Sequence, residues 1–143
     1  LKLVIAGSRG IVSHDHWSKL IQLIEELAEL ADSYPTEVLH GGNMQSPDRF
    51  GNELAASYDC LEVVIAPDYD AARRKGIPTK AAPQIRNNQL ADRGDALVGL
   101  WDGQSPGTES MMKRFKKARK PYRVWRVDNH EILRFTDAQV SLF

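Results

Sequence analysis

The chain has a single cysteine, Cys60. An internal disulfide and a cysteine-built zinc site are therefore excluded, and the thiol is expected to pack as a small apolar residue in a reducing, cytoplasmic setting. Charge of one sign is also missing. Lys and Arg together number 19 and Asp and Glu 19, so no overall positive field draws the chain to nucleic acid or to an anionic membrane. No apolar run approaches the length of a membrane span, and the opening Leu1-Lys-Leu-Val-Ile-Ala6 is too short for a signal-peptide core. The G-x-G-x-x-G fingerprint is absent. The first hydrophobic run leads into Gly7-Ser-Arg-Gly10 and the second ends in His40 rather than an acid, which disfavours an ordinary NAD site. No second His or Cys stands at ligand spacing from His40, so no metal is expected.

Five strand-length apolar runs are present, at 3–6, 37–40, 61–66, 96–101 and 122–127. The stretches between them are long enough for helices, expected at 15–31, from 47 or 48 to 58, at 79–92 and at 107–120. The first is the clearest: Trp17, Leu20, Ile21, Ile24, Leu27, Ala28 and Ala31 recur at three- and four-residue steps, the pattern of a helix with one buried face. Ser13 or Asp15 is expected to cap it, and Ser33-Tyr-Pro35 to end it. Strands alternating with helices predict an α/β fold: one Rossmann-like, three-layer domain over 1–143 with a mainly parallel sheet of about five or more strands. Its core is expected at about 3–127. The extension, 128–143, reads as an extra strand pair or a partner-binding tail.

In open α/β sheets ligands bind beyond the carboxyl ends of the strands, so the loops there carry the functional signal. The most informative is Asp102-Gly-Gln-Ser-Pro-Gly-Thr108, which links a hydrophobic run to a helix. The first N–H groups of a helix lack internal partners and its dipole is positive at that end, which suits a phosphate. Gly103 and Gly107 permit close approach, and Ser105 and Thr108 offer hydroxyls. Gly7, Ser8 and Arg9 follow the first run, where Arg9 presents either a fork for phosphate or a solvent-facing side chain. Gly41 and Gly42 follow the second, and Asp48 reads either as a ribose ligand or as a helix N-cap. Arg86 and Asn87 lie on a helix that reaches toward the same cleft or shows them to solvent. The basic run Lys113-Arg-Phe-Lys-Lys-Ala-Arg-Lys120 reads as a solvated helix end.

Taken together and in order, Val4-Ile-Ala-Gly-Ser-Arg9, Leu39-His-Gly-Gly42 with Asp48, Arg86-Asn87, Ala91-Asp-Arg-Gly-Asp-Ala-Leu97 and Trp101-Asp-Gly-Gln-Ser-Pro-Gly-Thr108 resemble the SLOG superfamily. The resemblance is greatest to its small YspA/YpsA-related branch, and the superfamily also contains the LOG phosphoribohydrolases and DprA. It implies a Rossmann-like sheet whose glycine loops surround a nucleotide or nucleotide-derived, ADP-ribose-like ligand, in a sensor or processor of nucleotide signals, some acting between bacteria and phages. It implies ligand contacts at Gly7, Ser8, Arg9, Gly41, Gly42, Asp48, Arg86, Asn87, Gly103, Ser105, Gly107 and Thr108, and a homo-oligomer. Two features depart from the pattern. Asn43-Met-Gln-Ser-Pro47 lengthens the second loop and removes a glycine, and Met111 stands where hydrolytic relatives carry Glu.

Three functions are therefore set against one another. The first is a nucleotide-binding protein that needs no cofactor. The second is an N-glycosidic bond hydrolase or base-transferase acting on nucleoside monophosphates, for which Asp48, Glu53 and Glu109 are the available acids. The third, a single-stranded DNA-binding protein, is opposed by the neutral charge.

Overall fold

A computed structural model describes residues 1–137. Its sheet is built from β1 (Lys2–Gly7), β2 (Glu37–His40), β3 (Leu61–Val64), β4 (Ala96–Trp101), β5 (Tyr122–Arg126) and β6 (Ile132–Phe135), in the spatial order β3-β2-β1-β4-β5-β6. The first five are parallel, and β6 pairs with β5 in the antiparallel sense. The helices are α1 (Trp17–Ala31), α2 (Gly51–Ser57), α3 (Tyr69–Arg74), α4 (Ala82–Arg93) and α5 (Pro106–Lys117). Single 3-10 turns precede α1, α2 and α4. The domain is α/β and Rossmann-like, with helices on both faces of a mainly parallel sheet.

Alternation along the strands decides which helix covers which face. Leu3 and Ile5 of β1, with Val98 and Leu100 of β4, pack against Leu20, Ile24 and Leu27 of α1 and Leu54 of α2. Val4 and Leu97, one position over, face Leu90 of α4 and Met111 and Phe115 of α5. Every residue of β4 is buried, as befits a central parallel strand covered on both sides.

Ser13 caps the 3-10 turn that leads into α1, accepting the Asp15 N–H at 3.2 Å. The far end of α1 falls at Ala31, as expected, just before Ser33-Tyr-Pro35. Asp32 adopts a left-handed conformation, φ 47°, and returns its N–H to the last turn, a role short polar residues tolerate. Helix α3 is absent from the sequence reading because its six residues, Tyr-Asp-Ala-Ala-Arg-Arg, carry no apolar period.

β6 shows that part of the 128–143 extension joins the sheet, beyond the expected core limit at 127. Arg123 fastens it. This buried guanidinium donates to Glu26 of α1 at 3.1 Å, to the Phe135 carbonyl at 3.1 Å and to the Thr136 hydroxyl at 3.1 Å. The expected partner contact at the chain's end falls on 138–143, outside the described residues. Among the described residues no helix is long and apolar enough to cross a membrane.

Phe115 is fully buried between α5 and the sheet. Phe115→Ala should cost about 3–5 kcal/mol, read as a lower midpoint in urea unfolding at an unchanged slope.

Candidate functional site

Helices α1 and α2 leave the sheet on one face and α4 and α5 lie on the other, so the chain reverses its winding between the neighbouring strands β1 and β4. Loops leaving these two strands diverge and open a crevice above their carboxyl ends. A cleft of about 240 Å³ lies there, floored by Ile5, Ala6, Leu90 and Met111 and walled by four segments of the chain.

The β1 and β4 loops form one wall. Ser8 is buried; its N–H donates to the Leu100 carbonyl at 3.0 Å, and its hydroxyl oxygen accepts the Asp102 N–H at 3.0 Å. Asp102 then organises its own loop. Its carboxylate accepts the N–H groups of Gln104 and Ser105 at 2.8 and 2.7 Å and the Ser105 hydroxyl at 2.6 Å. Partial burial opposes ionisation, but the hydrogen bonds from Ser105, Gln104 and Ser8 prevail and hold Asp102 down to about 2. Trp101 braces the turn by donating its indole N–H to the Ser105 carbonyl at 3.0 Å. Ser105 is thus the N-cap by position only, since its hydroxyl makes no capping bond to α5. Pro106 has no N–H, so the groups left open at the helix start are the N–H donors of Gly107 and Thr108. A Cβ at Gly107 would meet nothing within 4 Å.

The opposite wall is the β2 loop with α4. Arg86 donates from Nη1 to the Gly41 carbonyl at 2.7 Å and from Nε to the Asn87 amide oxygen at 2.8 Å. Its Nη2 has no hydrogen-bond partner among the described residues. Gly41 is required by this contact: a Cβ there would overlap the guanidinium. The loop is pinned from below by His40, whose side chain is 1% exposed. Its Nδ1 accepts the Gly42 N–H at 3.0 Å, so Nε2 carries the proton and donates to Glu62 at 2.8 Å. At the rim, Arg9 bonds the Gln45 side chain and the Gly10 N–H reaches the Gln45 carbonyl at 2.7 Å, which ties the first loop to the second.

Among the described residues, Asp48 is the one carboxylate lining the cleft. It is not the N-cap. Ser46 takes that role, accepting the Asp48 N–H at 3.2 Å, while Asp48 accepts the Asn43 N–H at 3.1 Å. The lengthened 43–47 stretch therefore folds back on itself and brings Asp48 to the cleft. Burial dominates its titration and raises it above the ordinary range, against the pull of the Asn43 N–H and of His40 and Arg86 nearby.

Of the residues the sequence singled out, Gly7, Ser8, Arg9, Gly41, Asp48, Arg86, Asn87, Ser105, Gly107 and Thr108 all border this cleft. Gly42 and Gly103 do not. Both are turn residues with positive φ, 77° and 83°, and the space over Gly103 is filled by Arg126, itself paired with Asp128. Two of the three candidate acids also stand outside it. Glu53 faces His14 at 3.2 Å on an exposed surface, and Glu109 pairs with Lys113 at 3.0 Å. The basic run is largely engaged: Arg114 reaches Asp92 at 3.2 Å, Lys120 donates to the Ala91 carbonyl at 2.9 Å, and Arg119 pairs with Asp137. Among the described residues no group of three or more His, Cys, Asp or Glu gathers to hold a metal.

Because the folded state holds the Asp48 proton more tightly than the unfolded chain, ionising it costs stability as pH rises through the shifted value. Asp48→Asn should therefore gain stability relative to the parent as pH rises above the ordinary aspartate range, measured by urea unfolding from acid to neutral pH. A relative loss over the same interval would mean that the carboxylate is stabilised where it sits.

Comparison of the chain with protein-family models, with curated proteins and with solved structures finds no significant match.

Proposed function

We propose that the cleft binds the phosphoryl group of a nucleotide or nucleotide-derived, ADP-ribose-like ligand, and that the protein is a SLOG-type sensor or signal-binding protein. The supporting observation is the meeting, at the β1–β4 reversal, of two unspent helix N–H donors with two guanidiniums. Gly107 and Thr108 offer N–H groups and the positive end of α5, while Arg86 and Arg9 border the same space. Among the described residues a single carboxylate, Asp48, opposes them. The cleft is smaller than the roughly 300–1,000 Å³ of sites that enclose drug-sized ligands, which suits a phosphate and its sugar rather than a whole dinucleotide. A cytoplasmic location fits the lone cysteine, and a homo-oligomer fits the SLOG resemblance.

Binding without cleavage is favoured by Met111. It is buried in the cleft floor at the place where hydrolytic relatives carry Glu, and a thioether neither donates nor takes a proton. The N-glycosidic reading keeps one specific support: Asp48 lines the cleft with its proton held more tightly than usual, the property of a general acid.

Calorimetric titration with nucleoside monophosphates tests the first reading. Arg86→Ala removes a charge-assisted contact of about 1.5–3 kcal/mol and should weaken binding by about tenfold to a hundredfold; Thr108→Val, which removes a neutral hydroxyl, should cost about fivefold. Unchanged affinity in both variants would contradict the site. Chromatography of the same mixtures tests the second. Free base released by the parent and not by Asp48→Asn would make the protein an enzyme.

A further inference from the structure

We propose that a second hollow, on the other side of Arg86, receives the base of the bound nucleotide. The ligand then straddles this arginine, with its phosphate at the start of α5 and its base between α3 and α4. The inference rests on the phosphate-site reading above and adds where the rest of the ligand goes.

The hollow measures about 190 Å³ and lies between α3, the turn that follows it, and α4. Ala82, Ile85, Arg86 and Gln89 recur along α4 at three- and four-residue steps and border it, whereas Arg86, Asn87 and Leu90 border the phosphate cleft. Arg86 is the one residue common to both. Its guanidinium is bound to Gly41 on the cleft side, so the arginine forms a partition with space on either hand.

The two spaces differ in chemistry. The phosphate cleft has an open helix start and two arginines. The hollow has an alkyl floor, with Ala72 and Ala82 buried and Ile77 half-buried, and at its mouth Ile85 stays 39% exposed. Its polar groups stand at the edge. The Gln89 amide has no hydrogen-bond partner among the described residues, and Asp68 spends one oxygen on the Ala71 N–H at 2.8 Å and keeps the other. Lys75 borders the hollow as well, and its ammonium offsets the Asp68 carboxylate. Aliphatic walls edged by an amide, a carboxylate and an ammonium suit a planar heterocycle that carries both donors and acceptors along its rim. A nucleobase has that shape and pattern, and the neighbouring guanidinium is a surface on which such a ring stacks.

The test compares inorganic phosphate, ribose 5-phosphate and the four common nucleoside monophosphates by calorimetry, on the full chain and on Ala71→Leu, which fills the hollow, and Gln89→Ala, which removes its edge amide. The tightest monophosphate should bind at least about fivefold better than ribose 5-phosphate, the gain expected of one accommodated base. Ala71→Leu should erase that preference while leaving ribose 5-phosphate affinity within about twofold, which also shows that the variant is folded, and Gln89→Ala should reduce it. Equal affinity for ribose 5-phosphate and every monophosphate would overturn the inference and leave the phosphate site standing, as would a preference that survives both substitutions. Failure of all the ligands, inorganic phosphate included, would bring down the phosphate site and the base hollow together.

Discussion

Ser8 holds together the two strand ends between which the chain changes direction. β1 and β4 are paired along their length, from Leu3 opposite Ala96 to Gly7 opposite Leu100, and Ser8 carries that pairing one residue further with its N–H on Leu100 and its hydroxyl under Asp102. The cleft depends on this stitch. Parallel strands leave their connecting loops free to diverge, and without a tie the β4 loop would have no fixed height above the sheet. With the tie in place, Asp102 enters the loop at a set point and gathers Gln104 and Ser105 around its carboxylate. Asp102 is held near 2, below its ordinary 3.8, so its contribution to stability is complete above the ordinary value and is lost only as pH falls toward 2. The loop keeps its form at neutral pH, and α5 departs with two N–H groups unspent.

The same economy of contacts explains the other wall. His40, buried and bonded on both ring nitrogens, fixes the start of the β2 loop; Gly41 leaves room for a guanidinium; and Arg86 fills that room from α4. An arginine held by one Nη and its Nε, with the other Nη open, is already oriented for an anion and loses little side-chain freedom on binding. Met111 beneath contributes shape without a titratable group. The balance of the cleft is thus positive and poor in proton-transfer groups, with Asp48 as its single acid among the described residues.

Much of the frame was legible in the sequence. The runs at 37–40 and 96–101 coincide with β2 and β4, because short β-branched stretches bounded by polar residues have few other uses, and the three- and four-residue spacing of 17–31 placed α1. Helix α3 was not legible, since six residues without an apolar period carry no signal. The stretches that leave β1, β2 and β4 read as loops and begin as loops, whereas 67–70 also reads as a loop and its Tyr69 and Asp70 open α3; and chemistry alone does not reveal neighbours. Gly42 and Gly103 look like approach points for a ligand and are instead turn residues, the latter covered by Arg126. Glu53 and Glu109 are acids near motif residues in sequence, yet His14 and Lys113 hold them on outer surfaces. Of the two readings of Asp48, the N-cap fails because the lengthened loop caps its own turn with Ser46 and turns Asp48 inward, a choice that depends on three-dimensional closure rather than on residue type. His40 gave no functional signal, and its part in fixing the β2 loop appears only when Glu62 and the Gly42 N–H are seen on either side of its ring.

The start of α5 and Arg86 together form the proposed phosphate site. An ¹⁵N-resolved NMR titration with inorganic phosphate, followed by a nucleoside monophosphate, tests it most directly, because it reports on individual N–H groups. The Gly107 and Thr108 amides and the Arg86 Nε signal should move first and furthest, while amides on β6 and at the carboxyl end of α1 stay still. Saturable shifts centred elsewhere, or none at these three groups, would contradict it.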